Sequence, residues 1–285
     1  MTSKTVLQVI DHSRDSAGCV YVYPVVSRRA GGVSVGINLN PNNACNWRCV
    51  YCQVPDLKRG GAPELDLELM ETELRHLLHD IVRGDFMQTR VPPEARRLND
   101  VAFSGNGEPT SSLQFLACAE RVMAILRDFD LTGKIKLVLI TNGSQLDRKQ
   151  VQEALSLMSA SGGEVWFKLD RAPEDGFSVV NQISHKRTQV ARRLMLAARH
   201  CPTWIQTCMF EMDGALPDEA QLQGYLDFLQ ESIAAGVKIE GVLLYGLARP
   251  SMQAEAGRLA AAPAVWMQEL AQRITGLGLE VKLSL

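Results

Sequence analysis

The sequence predicts an α/β fold built on a parallel sheet, and three observations carry that prediction. Six short β-rich runs alternate with longer helical patterns, the arrangement that gives parallel strands with crossover helices. The segments that follow these runs contain glycine or charge, as loops that approach a ligand do. A chain of 285 residues is long enough for one large domain with a well-buried core. Six such strands form an open doubly wound sheet or a barrel, complete or partial. In either, the chemistry gathers at the C-terminal ends of the strands.

Taken in order, "CVYVYPVV" (19–26) reads as an extra strand or hairpin leading into the main sheet. The strands are then "VSVGINLN" (33–40), "NDVAFSG" (99–105), "KIKLVLIT" (134–141), "EVWFKLD" (164–170), "TWIQTCMFE" (203–211) and "KIEGVLLYG" (238–246). Helical patterns fall near 64–83, 111–129, 147–160, 186–200 and 217–235. A last helix covers 263–276, and "EVKLSL" (280–285) is a short terminal strand. The strand ends present a cysteine loop, "GNGEPT", "TNGS", "LDRAP", "EMDG" and "GLARP".

Charge narrows the function classes. The formal net charge is −2, so nothing in the balance marks a dedicated nucleic-acid or membrane surface. The N-terminal stretch lacks the apolar core of a signal peptide, and no segment approaches the roughly 18 apolar residues of a membrane span. The expectation is a cytoplasmic protein. Seven cysteines in a long chain point to metal or redox chemistry rather than a disulfide framework.

Three of those cysteines, Cys45, Cys49 and Cys52, are spaced C-x3-C-x2-C in "NNACNWRCVYCQVP". Thiolates suit zinc, copper(I) and iron–sulfur clusters, and close spacing lets a short loop wrap a compact centre. A site closed by protein needs a fourth ligand. His12, His76, His79, His185 and His200 are all distant in sequence, and His76 and His79 in "LRHLLHD" read as a polar helix face. Cys19, Cys118, Cys201 and Cys208 are scattered and read as small buried apolar residues. With three protein ligands, one position stays open to an exogenous molecule, the mark of a catalytic centre.

The triad, with Tyr51 before its last cysteine, is preceded by "VSRRAGGVSVGINLNP" and followed in order by "FSGNGEPT", "LITNGS" and "WFKLD". Together these resemble the core of the radical S-adenosylmethionine (radical SAM) superfamily over residues 20–250. They look most like the iron–sulfur oxidoreductases related to wyosine-forming tRNA enzymes. The resemblance implies a partial (β/α)6 TIM-like barrel over 33–250, with an N-terminal extension or hairpin (1–32). A C-terminal helix and strand (251–285) would pack on it. It implies that Cys45, Cys49 and Cys52 are the catalytic metal ligands, holding three irons of a 4Fe–4S cluster. The fourth iron would be chelated by the amino and carboxylate groups of S-adenosyl-L-methionine. Reductive cleavage of that cofactor would give methionine and a 5′-deoxyadenosyl radical, which abstracts hydrogen from a substrate. An electron donor such as flavodoxin or ferredoxin is implied as partner.

Each supporting motif gains a role from that resemblance. The family pattern Gly-Gly-Glu-Pro appears as Gly105-Asn106-Gly107-Glu108-Pro109, with Asn106 in place of a glycine. Glu108 suits the methionine amine, although a strand-to-helix turn with a capping acid explains the same residues. Thr141 and Asn142 in "TNGS" suit the cofactor's carboxylate or ribose, or form only a turn. In "VWFKLD", Trp166, Lys168 and Asp170 share one strand face by period two. Charge inside a parallel strand is unexpected. Lys168 is assigned to the carboxylate and Asp170 to the ribose, with a mutual ion pair or a Schiff base at Lys168 as alternatives.

Tyr51 and the glycines complete the cofactor set. For the substrate, Arg28 and Arg29 in "SRR", Asn38 on the inner face of the first strand and Arg249 in "YGLARP" are the candidates. Paired guanidiniums favour an anionic small molecule or peptide. Gln182 stands where the related enzymes resemble an arginine. The alternatives are tRNA base modification of wyosine type or a non-enzymatic three-cysteine electron carrier. Only Cys19 lies upstream to support a second cluster, and a carrier has no need of the strand-end motifs.

Overall fold

The computed structural model describes residues 6–7, 18–27, 31–172 and 176–285. The elements run β1 (Val22–Ser27), β2 (Gly32–Ile37), β3 (Ala44–Cys45), β4 (Lys58–Arg59), α1 (Leu67–Arg83), α2 (Phe86–Arg90), β5 (Leu98–Phe103), α3 (Phe115–Asp128), β6 (Lys136–Thr141) and α4 (Lys149–Ala160). They continue through β7 (Glu164–Lys168), α5 (Arg187–His200), β8 (Thr203–Met212), α6 (Glu219–Ala234), β9 (Ile239–Gly246), β10 (Leu259–Ala261), α7 (Ala264–Thr275) and β11 (Glu280–Ser284).

In the main sheet the strand order is β1-β2-β5-β6-β7-β8-β9-β11. From β2 to β11 every pairing is parallel, and each strand lies beside the next one in the chain. A doubly wound sheet reverses its order at a switch point; this one never does. Sequential winding curls the sheet and places the helices on its outer side, so the fold is a partial barrel. β1 joins antiparallel to β2 as a hairpin arm, and β10 pairs antiparallel with the end of β8. Of these elements, α2, β10 and the two-residue β3–β4 bridge were not legible in the periodicity.

Period two divides each strand between two environments. Val35, Ile37, Val101, Phe103, Leu139, Val165, Phe167, Ile205 and Leu244 are fully buried in the core that joins sheet to helices. The opposite face holds a smaller cluster of Ala102, Val138, Trp166, Trp204 and Leu243. α1 shows how a helix is fixed on the sheet. Asp66 caps it by accepting from the N–H groups of Glu68 and Leu69 at 3.1 and 2.9 Å. Met70, Leu74, Leu77, Leu78 and Ile81 then form its buried stripe.

Glu73 lies in that stripe because it receives the backbone of the N-terminal arm. Its carboxylate accepts from the N–H groups of Val20, Tyr21 and Val22 at 2.8, 2.8 and 3.2 Å. Among the described residues the outer strands of the sheet are β1, with Pro24 in it, and β11, with exposed Glu280 and Lys282. Lys282 Nζ lies 3.9 Å from the centroid of the Trp204 ring. Replacing Glu73 by Ala should leave three donors unmatched and lower the unfolding free energy by about 3 kcal/mol. A denaturant midpoint series on the purified variant checks this, with Glu68→Ala as the exposed control.

Candidate active site

The three cysteines sit on the long connection between β2 and α1. Only the β3–β4 bridge gives this segment regular structure, so its polar backbone groups must find partners elsewhere. They find them in distant parts of the chain. Asn40 Nδ2 donates to Ala44 O at 2.9 Å. The N–H groups of Arg48 and Val50 donate to Asn181 O and Val180 O at 3.2 and 2.8 Å. Ser251 Oγ donates to Val50 O at 2.7 Å, and Met252 N donates to Cys52 O at 2.9 Å. Gln253 Nε2 closes the exit by donating to Val54 O at 2.9 Å.

All three thiols line one cavity of about 800 Å³ at the C-terminal ends of the strands. Burial pushes the Cys45 thiol up to about 11; the nearby Glu108 and Cys52 add to this, while the Trp47 N–H and Lys168 oppose it. Burial, with Asp170 next, pushes Cys49 higher still; Lys168 and the Asn181 amide oppose this. Asn181 Nδ2 donates to Cys49 Sγ at 3.2 Å. Among the described residues, no group of three His, Cys, Asp or Glu side chains is arranged to hold a single metal ion. A zinc ion would require thiolates converging at about 2.3 Å on one point.

The loop after β5 is folded against the cysteine loop. Gly105 has φ +147°, and a Cβ there would lie 2.4 Å from Asn38 Oδ1; one at Gly107 would lie 2.1 Å from Ala44 O. Asn38 Oδ1 accepts from the N–H groups of Asn40 and Asn106 at 3.1 and 3.0 Å, so Asn38 is a brace between two loops and does not line the cavity. Asn106 Nδ2 donates to Asn43 Oδ1 at 2.6 Å, whereas its own Oδ1 is buried without a hydrogen-bond partner. Glu108, 2% exposed, accepts from Thr110 N, Thr110 Oγ1, Thr141 Oγ1 and Asn142 N at 2.5–3.1 Å. Burial pushes its carboxyl above the ordinary range, and these donors hold it back. Thr141 is spent on that contact and lies off the cavity. Asn142 lines the cavity and donates to Asn46 Oδ1 at 2.9 Å.

β7 ends at Lys168, two residues before Asp170. Trp166 and Lys168 line the cavity as the alternation requires. Asp170 does not. It is 0% exposed, and its carboxylate accepts from Tyr51 OH at 2.6 Å, Asn181 Nδ2 at 2.9 Å and Cys208 N at 3.0 Å. The chain leaves the strand after Lys168, and the carboxylate turns to these three donors. Tyr51 lines the cavity with its ring, which packs on Phe210 at 5.6 Å and stands 5.6 Å from Lys168 Nζ.

The structure thus brings Cys45, Cys49, Cys52, Tyr51, Gly105, Asn106, Gly107, Glu108, Asn142, Lys168 and Arg249 to one cavity. Arg28 and Arg29 lie outside the described residues. Gln182, at φ +54°, accepts from Arg48 NH1 at 2.8 Å and donates to Glu255 at 2.8 Å. Sequence reasoning missed Asn46, Asn181 and the Ser251–Gln253 clamp, whose contacts with Ser144, Cys49 and Val50 span 98, 132 and 201 residues. It also missed Gln206, which the alternation in "TWIQTC" would have placed beside Lys168.

A profile of the Radical SAM superfamily matches residues 39–212. The UPF0026 protein MJ1312 of Methanocaldococcus jannaschii is 28% identical over 213 residues, 74% of this chain and 56% of the relative. The chain therefore spans about half the length of that curated relative. A radical SAM methyltransferase from Sphaerobacter thermophilus has a similar fold, with TM-score 0.59 at 13% identity over 89% of this chain and 66% of its own. TYW1 with a lysine–pyruvate adduct bound gives 0.53 at 12% identity, over 88% and 74%. The profile covers more than half of the chain and encloses the cysteine loop and strands β5 to β8: this protein belongs to the radical SAM superfamily.

Proposed function

We propose that Cys45, Cys49 and Cys52 hold a 4Fe–4S cluster and that the cavity beside it takes S-adenosylmethionine together with a small anionic substrate. One observation carries this reading. A single loop delivers three thiols into the same cavity as Asn106 Oδ1, a buried acceptor with no hydrogen-bond partner. When bound, the cluster and cofactor would supply one-electron cleavage of a sulfonium C–S bond and a 5′-deoxyadenosyl radical for hydrogen abstraction. A flavodoxin- or ferredoxin-like protein would supply the electron.

The residues of this chain have distinct tasks in that reading. Iron held by the three thiolates would displace their protons to solvent and so offset the burial that keeps Cys45 and Cys49 protonated. Asn106 Oδ1 accepts from the cofactor's ammonium. Glu108 stands behind it and fixes the loop through its four donors. Lys168 offers its charge to the cofactor's carboxylate. Asp170 acts indirectly, holding Tyr51 and Asn181 in place. Asn181 in turn donates to Cys49 Sγ, a contact that tunes the potential of a cluster bound there. Lys168 and Arg249 both line the cavity and make it favourable to an anion.

Protein reconstituted without oxygen should bind about four irons and form 5′-deoxyadenosine when reduced in the presence of the cofactor. Cys49→Ala should lose the cluster, while Cys118→Ala, buried far from the cavity, should keep it. Stoichiometric zinc with no iron–sulfur absorption would refute the reading.

Asn106→Ala should keep its iron and bind S-adenosylmethionine about tenfold more weakly, the cost of one acceptor to a charged group. Equilibrium dialysis with labelled cofactor measures this. Equal affinity in the two proteins would remove Asn106 from the amine site.

A further inference from the structure

Gln206 is not among the residues assigned above to cluster or cofactor. It lies on β8 with Lys168 of β7 and Leu243 of β9 as its register neighbours. Alternation puts Trp204, Gln206 and Cys208 on the inner face of the strand. The side chain is 1% exposed and lines the cavity, yet neither Nε2 nor Oε1 has a hydrogen-bond partner. Leaving a buried polar group unmatched costs about 1–3 kcal/mol, and buried amides in folded proteins are nearly always paired. Beyond Lys168, the inner face carries an apolar cluster of Ala102, Val138, Trp166, Trp204 and Leu243. A leucine at 206 would suit these neighbours better than an amide does.

We propose that Gln206 is the recognition point of a substrate subsite on the cavity floor, taking the amide edge of a small planar molecule. That edge is a lactam or a primary carboxamide. The proposal rests on reading the cavity as the reaction chamber. A glutamine presents one donor and one acceptor side by side in one plane. The matching edge shows an acceptor and a donor in the same spacing, as a lactam or carboxamide does. A carboxylate shows acceptors only and would set an oxygen against Oε1. The indole of Trp166, also lining the cavity, gives a flat apolar wall for the ring of such a molecule.

The test uses reconstituted protein with S-adenosylmethionine and simple probes, read by tryptophan fluorescence without turnover. The probes are 2-pyridone, benzamide, N-methyl-2-pyridone and benzoate. 2-Pyridone or benzamide should bind at least tenfold more tightly than the two molecules that lack the paired edge. Preference for 2-pyridone assigns a ring lactam, and preference for benzamide assigns a carboxamide. Gln206→Leu should abolish the discrimination while its thermal midpoint stays level or rises, because an unmatched buried amide has been removed. Equal binding of all four probes to the wild type overturns the subsite. So does a lower midpoint in Gln206→Leu, which would mean that the amide has partners within the folded chain. Wild-type protein without iron would overturn the radical reading alone, since probe discrimination needs no turnover.

Discussion

Everything near the cysteines depends on satisfying one fully buried carboxylate. Asp170 has no contact with solvent, and a group of that kind is tolerated only when hydrogen-bond donors surround it. Its donors come from three separate places: a tyrosine in the cysteine loop, an asparagine at the end of a short helical segment between β7 and α5, and a main-chain N–H of β8. Meeting the needs of that one group therefore fixes the loop against the barrel. The same asparagine reaches Cys49, so the position of a thiol is tied to the position of the acid. Arg171, buried beside it, donates to the carbonyls of Asp170 and Cys208 at 2.8 and 3.1 Å and stiffens the same junction.

Glu108 repeats the device on the other side of the cavity. Two hydroxyls and two main-chain N–H groups hold it, and through Thr141 and Asn142 it joins the ends of β5 and β6. Each acid thus turns a flexible strand-end loop into part of a rigid rim. Rigidity here has a purpose: a reactive site needs its binding groups in place before the ligand arrives. Neither acid is free to do chemistry of its own, because its oxygens are already taken.

The alternation of strands and helices, and the positions of nearly all of them, could be read from hydrophobic periodicity. So could the inner face of β7, because period two is enforced by backbone geometry. The exact role of Asp170 could not. Its phase was extrapolated along a strand that stops at Lys168, and past that point periodicity carries no information. Asn181 was invisible for another reason. It lies 132 residues from Cys49, and only the closed fold makes them neighbours. Asn38 looked like a ligand group and is a brace, since a polar residue next to a glycine loop serves either role equally well in one dimension. Gln206 was legible and overlooked: one amide between Trp204 and Cys208 on the inner face of β8 obeys the rule that drew attention to Lys168.

A sheet that curls without closing ends in an outer strand on each side, and a bare sheet edge invites foreign strands. Among the described residues one of these strands is β11, where the charges at 280 and 282 stand exposed. A second molecule that tried to extend the sheet there would have to strip water from both charges. On the other side Glu73 takes the N–H of Val22 at the start of β1, and the proline at position 24 has no N–H to offer. Both ends of the curl thus discourage edge-to-edge polymerisation.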